Sequence, residues 1–379
     1  MKLNIIIPTR DRASKVNDLI SSFKRLNKQI NCVFIVDDST KKSQSKQLQQ
    51  IYKKSKQKIM LINNKKIAKL KSKVNIKLGN KKWNLGSART VGVLYSLALS
   101  NGSTHTMFFD DDMVIEKNKA KQVKIINKNF LGRIDLFGSP DLSRLEWLEL
   151  YLKVKDPSKR SENDYIEEIY KRIRRKSRFL LDNYTNLNGS SKAQLNKAKI
   201  PQRRELSGGA FICSNDVIST NFFPNWSDSD WYWFNSTRKS NILKNSPSGM
   251  NVTHNGLRKD IININNLKFE ERGKILTRVL KGLKRNKEDS PKIKLKLSQE
   301  IFKRKKIISE IIESFEHLKN KEEKDKEIIT KIKQLRKYVD NINEKDCEKK
   351  LKNFLKQSKY LKNNLGGIIR SIKRENEVY

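Results

Sequence analysis

Thr104-His105-Thr106-Met107-Phe108-Phe109-Asp110-Asp111-Asp112 is the stretch on which the reading of this chain turns. Met107, Phe108 and Phe109 form a short apolar run, and a run of that length bounded by polar residues reads as a buried strand. Three carboxylates close it. In open α/β sheets the strand ends face the crevice that holds ligands, so a strand ending in aspartates brings oxygen donors there. Hard divalent cations take one or two such carboxylates and fill their shell with water and a substrate's phosphates. Acidic residues after a strand also cap helices or sit in solvated turns. The surrounding sequence has to decide between these roles.

Toward the N-terminus, Leu3 to Ile7 reads as a buried strand stopping at Pro8, which cannot donate to a ladder. A helix is expected from about Ser14, its N-cap, with Val16, Leu19, Ile20, Phe23 and Leu26 on one face. Cys32 to Val36 is a second apolar run, ending in Asp37-Asp38, and Lys58 to Ile62 a third. Strands alternating with helical patterns predict an α/β domain on a mostly parallel sheet. Asn84 to Leu99 continues that grammar as a helix with Ala88, Val91, Leu94, Tyr95 and Ala98 on a shared face.

Toward the C-terminus, residues from about Leu142 to Pro201 read as a basic, largely helical insertion. The apolar strand Glu205 to Cys213 follows, carrying Gly208-Gly209, and then an aromatic cluster surrounds Asp228 and Asp230. Beyond about Leu267 the composition shifts to Lys, Glu, Ile and Leu. There Ile328, Ile332, Leu335, Val339 and Ile342 alternate steps of four and three, a coiled-coil seam or a narrow packing stripe. Two domains are expected: 1–266, with the insertion at about 142–201, and a basic helical domain, 267–379.

With 379 residues and a formal net charge of +42, the chain can bury two cores and invites anionic partners, among them nucleic acid, an anionic membrane face or an acidic glycan. A codon bias toward Lys, Asn and Ile would account equally well for the same charge, which is spread along the chain. Cys32, Cys213 and Cys347 follow no disulfide or metal spacing, and nowhere do the roughly 20 apolar residues of a membrane span occur. A cytoplasmic protein is expected, with contact at the membrane's inner face through its charge.

Five pieces then occur in one order: Ile5-Ile6-Ile7-Pro8-Thr9-Arg10-Asp11-Arg12, Val36-Asp37-Asp38-Ser39, Asn84 through Gly92, Phe109-Asp110-Asp111-Asp112, and Ser207-Gly208-Gly209-Ala210-Phe211. Across roughly the first 260 residues this series resembles the family 2 type glycosyltransferases of the GT-A fold, Rossmann-like enzymes that transfer a sugar from a nucleotide-diphosphate sugar. The resemblance implies that Pro8, Thr9 and Arg10 lie beside the nucleotide, that Asp37 and Asp38 accept hydrogen bonds from base and ribose, and that Gly86 lets the helix carrying Arg89 approach the ligand. Thr90 stands where the family has Asn. Asp110 is implied on the ribose side, Asp112 with Asp110 on Mn²⁺ or Mg²⁺, and Asp111 in either register. Gly208 and Gly209 would lie near the sugars.

The same resemblance makes Asp228 the base that takes the acceptor's proton and Asp230 the second acid, within Trp226-Ser227-Asp228-Ser229-Asp230-Trp231. His254 occupies the place of a late metal or diphosphate ligand. Trp226, Trp231 and Trp233 are sugar-stacking or core residues, at least one of them core. The implied partners are a UDP- or GDP-sugar donor and a glycan, lipid-linked or protein acceptor, with self-association through the C-terminal helices and an anionic membrane surface as further candidates. Rival readings are a basic nucleic-acid- or polyanion-binding protein and a sugar-nucleotidyltransferase. The latter would need a Gly-rich phosphate loop after the first strand, where this chain has Pro8-Thr9-Arg10-Asp11-Arg12.

Overall fold

A computed structural model describes residues 2–23, 26, 28–73, 85–100, 102–115, 131–137, 143–156, 209–227, 229–238, 245–254, 263–283 and 290–376, with 131–137 and 245–254 described by backbone path only. The chain divides into two compact units: Met1–Leu136 with Arg204–His254 and Asn353–Tyr379, and Phe137–Arg203 with Asn255–Lys352.

The first unit is built on an eight-stranded sheet of order β3-β2-β1-β4-β7-β6-β8-β5. Its strands are β1 (Leu3–Thr9), β2 (Ile30–Asp37), β3 (Ile59–Ile62), β4 (His105–Phe109), β5 (Met113–Ile115), β6 (Leu131–Phe137), β7 (Ala210–Ser214) and β8 (Asn245–His254). The β3-β2-β1-β4 half is parallel, while β7 runs antiparallel to both β4 and β6, and β5 to β8. The expected α/β class with a Rossmann-like sheet is the one found.

Buried on both faces, β1 and β4 read as near-continuous apolar runs, as strands inside a parallel sheet do. Alternation then sorts their side chains. Leu3, Ile5, Ile7, Met107 and Phe109 pack on one face with α1 (Ala13–Ser22) and α2 (Lys42–Lys54). Ile6, Phe34, Val36, Phe108 and Phe211 face the other way, toward α3 (Asn64–Lys73) and α4 (Leu85–Ala98). Most of α4 is buried around its circumference, as befits a helix pressed into a core.

Two local expectations change. The first strand runs through Pro8 to Thr9, pairing Pro8 with Val36 and Thr9 with Asp37. Pairing with β4 ends at Ile6↔Phe108, so beyond that point one side of β1 has no ladder to lose and a proline is tolerated. Helix α1 starts at Ala13 with Arg12, not Ser14, in the N-cap position and no side-chain cap; Gln44 Oε1 accepts the Ala13 N–H at 2.9 Å instead.

The second unit is helical. It contains α5 (Arg144–Lys155), α8 (Ile264–Gly282), α9 (Ser290–Glu316), α10 (Glu323–Asp340) and the start of α11 (Glu344–Asn376); the short α6 (Asn215–Ile218) and α7 (Ser229–Arg238) belong to the first unit. Ser143 and Glu146 form a reciprocal capping box at the start of α5. Ile328, Ile332, Leu335 and Val339 are buried, which makes the heptad-like stripe a packing face within this unit, while Ile342 is only half-buried. A buried Arg304–Glu271 ion pair joins α9 to α8, and Lys274 lies 3.7 Å from Glu271. Asp325 is fully buried and accepts from Tyr151 (3.0 Å) and Lys155 (2.8 Å), joining α10 to α5. Of the expected insertion, residues 143–156 are described; the rest, with Gly208 and Asp228, lies outside the described residues.

From Asn353 onward α11 belongs to the first unit. Leu361, Ile368 and Ile372 join the same core as α4, and Lys362 Nζ donates to Asn221 Oδ1 at 3.1 Å.

Candidate functional site

Strand order reverses between β1 and β4: the chain moves outward through β2 and β3 and then returns to lay β4 on the other side of β1. Ligands in open α/β sheets bind at such a switch point, outside the carboxyl ends of the strands. Here the two ends carry Thr9 to Arg12 and Asp110 to Asp112.

The aspartates are separately held. Arg89 Nη2 donates to Asp110 Oδ1 at 2.8 Å, and the Asp110 N–H donates to the Gly209 carbonyl at 2.8 Å. Thr9 Oγ1 donates to Asp111 Oδ2 at 2.8 Å. One nitrogen, Arg12 Nη1, meets both Asp111 Oδ1 at 3.0 Å and Asp112 Oδ2 at 3.3 Å. Burial pushes the Asp111 carboxyl up to about 6, with Arg12 and the Thr9 hydroxyl opposing and the neighbouring carboxylates adding to the rise. Asp111 is therefore the inward member of the triplet, and Asp110 and Asp112 retain side-chain exposures of 28% and 14%.

The backbone behind Arg12 is pinned. Asp11 has φ +55, an uncommon left-handed conformation for a residue with a side chain. Its carboxylate accepts from the Thr40 N–H (3.0 Å), Lys41 N–H (2.9 Å) and Thr40 hydroxyl (2.7 Å); desolvation is the largest single influence and pushes its pKa up, but these bonds together with Arg10 outweigh it and hold the pKa below the usual carboxylate value. Asp37 is buried and already accepts from the Ser39 N–H at 2.9 Å and the Ser45 hydroxyl at 2.8 Å, so it anchors its own turn and α2. Asp38 lies 3.6 Å from Arg10.

Arg89 is almost fully buried, with its guanidinium 5.8 Å from the Phe223 ring centroid. Thr90, at the position where Asn was expected, bonds the Phe223 backbone through its hydroxyl, accepting from the N–H at 3.2 Å. Gly86 has a packing reason to be small. A Cβ there would stand 1.8 Å from the Pro224 carbonyl oxygen and 3.1 Å from Ser229 Cβ. The start of α4 therefore lies directly against Pro224 and Ser229, the latter preceding Asp230 in the first turn of α7. Trp233 is core: it is fully buried, stacks on Phe223 and donates from Nε1 to the Asn221 carbonyl at 3.0 Å. Trp226 and Tyr232 each meet the Phe354 ring edge-on, at 5.3 and 5.2 Å.

The β5/β8 register sets His254 opposite Met113, the residue after Asp112. Among the described residues no three His, Cys, Asp or Glu side chains gather about one point. The donors present are hard carboxylate oxygens on Asp110 and Asp112, a set suited to Mg²⁺ or Mn²⁺ with one or two protein ligands and unsuited to a thiolate-seeking metal. Arg12, which contacts the cluster most openly, is the residue that sequence reasoning left without a role; its place in Thr9-Arg10-Asp11-Arg12, one turn past the strand end, was the available signal.

No helix among the described residues is long and apolar enough to cross a membrane. No family model and no curated protein matches the chain. Solved structures do resemble it. Glucosyl-3-phosphoglycerate synthase from Mycobacterium tuberculosis, crystallised with Mn²⁺, UDP and phosphoglyceric acid, is 11% identical, with 75% of this chain and 79% of that one covered and a TM-score of 0.39. Residues 1–349 of S. aureus TarS, crystallised with UDP-GlcNAc, are 12% identical over 96% and 92% at a TM-score of 0.37, and a mycobacterial protein is 10% identical over 74% of each chain at 0.38.

Proposed function

We propose that this chain is a glycosyltransferase moving a sugar from a UDP- or GDP-sugar to an acceptor hydroxyl. The observation that carries the reading is the convergence of Thr9, Arg12, Arg89 and Asp110 to Asp112 at the β1/β4 switch point. Ordered carboxylates and guanidinia at that crevice suit a nucleoside diphosphate and its counter-ion. Asp112 and Asp110 would hold Mn²⁺ or Mg²⁺, with His254 as a further ligand supported by its register opposite Met113. When bound, the ion neutralises charge gathering on the departing diphosphate.

The protein's own groups do the rest. Pro8, Thr9, Arg10 and Asp38 border the nucleotide, with Asp37 holding their turn. Arg89, fixed against Phe223, orients Asp110 toward the ribose side. Gly209 holds the Asp110 backbone, and Gly208 precedes it. Asp228 accepts the acceptor's hydroxyl proton as that oxygen attacks the anomeric carbon; the anomeric C–O bond breaks and its electron pair leaves with the diphosphate. Transfer is inverting on this reading, and Asp230 is the second acid. Support for Asp230 comes from the close approach of α4 to Pro224 and to Ser229, its neighbour in the chain. Residues 1–266 are assigned to catalysis and 267–379 to a helical domain whose last helix returns to brace the sheet. Free buried cysteines fit a cytoplasmic setting.

Calorimetric titration with UDP- and GDP-sugars tests the reading. Binding should require Mn²⁺ or Mg²⁺ and disappear in Asp112→Ala, whereas Asp228→Asn should bind donor and fail to transfer. Donor binding indifferent to metal and to Asp112→Ala would remove the metal from the mechanism. No binding of any nucleotide sugar would remove the transferase reading itself.

A further inference from the structure

We propose that Arg12 is the site's built-in counter-cation and exchanges with the divalent ion: its guanidinium bridges Asp111 and Asp112 when no ion is bound and swings into solvent when one arrives. This rests on the functional reading above for the ion itself. Arg12 and Arg89 both contact the triplet, yet they are held very differently. Arg89 has 3% side-chain exposure and packs against Phe223, so it stays with Asp110 whatever binds. Arg12 has 56% exposure.

The contact geometry is also that of a point cation. Arginine pairs most strongly with carboxylates through a two-nitrogen fork. Here a single nitrogen, Nη1, serves Asp111 Oδ1 and Asp112 Oδ2 together, as a small ion between two carboxylates would. An ion on Asp112 would then stand within a few ångströms of the guanidinium, where like charges repel appreciably even in a wet cleft. One of them must leave, and only Arg12 has water to leave into.

Movement is confined to the side chain. Asp11 ties the preceding residue to Thr40 and Lys41 through three bonds, and Ala13 is tied to Gln44. On the other side Asp111 is fixed by Thr9 at 2.8 Å. Asp111 and the Arg12 backbone therefore keep their places through the exchange, and the carboxylates face a cation in both states.

Mn²⁺ binding to the full chain without nucleotide, followed by electron paramagnetic resonance, reads this directly. Arg12→Gln should bind Mn²⁺ about tenfold tighter than wild type, the scale of two partly exposed ion pairs released from competition. Arg12→Lys, which keeps the charge, should stay near wild type, and Asp112→Asn should lose the site. Arg10→Gln removes an equal charge from the same loop, beside Asp38, and should change affinity by no more than about twofold if simple field effects are weak at that distance. Equal or weaker binding in Arg12→Gln, or an equal gain in Arg10→Gln, overturns the exchange while leaving the metal site standing. If neither wild type nor Arg12→Gln shows Asp112-dependent binding, the metal assignment falls and the exchange falls with it. Thermal melting of each variant checks that the fold is intact.

Discussion

Gly86→Ala puts a single methyl group where the structure has a carbonyl oxygen. The new Cβ would lie 1.8 Å from Pro224 O and 3.1 Å from Ser229 Cβ. Backbone cannot rotate aside as a flexible side chain can, so α4 must part from Pro224 and Ser229 by about 1 Å, and overpacking of this kind costs about 1–3 kcal/mol. The displacement falls at the site, since Arg89 lies on the next turn of α4 and Phe223 rests against its guanidinium. Misplacing reacting groups by about 1 Å can lower a rate about a hundredfold. Two companions locate the effect. In Gly92→Ala the Cβ would meet Ile6 Cγ2 at 2.4 Å, a core clash on the sheet side of the helix, whereas at Gly367 nothing lies within 4 Å. Urea unfolding and donor titration should show Gly86→Ala losing stability and donor affinity together and Gly92→Ala losing mainly stability. Gly367→Ala should gain about 0.5–1 kcal/mol from reduced unfolded-state freedom. Unchanged stability and affinity in Gly86→Ala, or the same affinity loss in Gly92→Ala, would refute the reasoning.

Arg304→Met takes from the buried Glu271 carboxylate its close partner and leaves it to Lys274 at 3.7 Å, and should cost about 3 kcal/mol by urea unfolding, while the double change with Glu271→Leu should recover most of it. Asp325 titrates below its ordinary range because its bonds to Lys155, Tyr151 and the Glu322 backbone outweigh burial, so its contribution is complete above about pH 4 and is lost as pH falls through its lower folded value; the urea midpoint of wild type should drop there, and that of Asp325→Asn should not. Burial and Glu146 push the Glu149 carboxyl up to about 7, so stability should decline as pH rises from about 4.3 toward 7, and Glu149→Gln should flatten that slope in thermal melts.

The parallel half of the sheet was legible because strands buried on both faces are written as unbroken apolar runs: Leu3 to Ile7, Cys32 to Val36 and Met107 to Phe109 each became a strand. The place of Asp110 to Asp112 at a strand end was legible for the same reason, since the end of such a run fixes where the next residues lie. What escaped were contacts between residues distant in sequence. Nothing local says that Gln44 will cap α1, that Gly86 will abut Pro224, or that Asp37 will spend one oxygen on its own turn and the other on α2. Arg12 was one of many basic residues in a chain of 83 Lys and Arg, and only the fold separates it from the others by laying it across two carboxylates.

The return of α11 has a consequence for how the molecule is made. Leu361, Ile368 and Ile372 share one core with Phe34, Val91, Phe108 and Trp233, contributed by segments more than a hundred residues earlier in the chain. On a ribosome, β1 to β4 can pair while that apolar face still lacks its last cover, and the sheet must wait for α8, α9 and α10 to be synthesised before the covering turns emerge. Such late, long-range closure slows folding and leaves an uncovered surface open to wrong partners in the meantime. Chains arrested before residue 361 should therefore hold a sheet that is paired yet sticky, a substrate for chaperones.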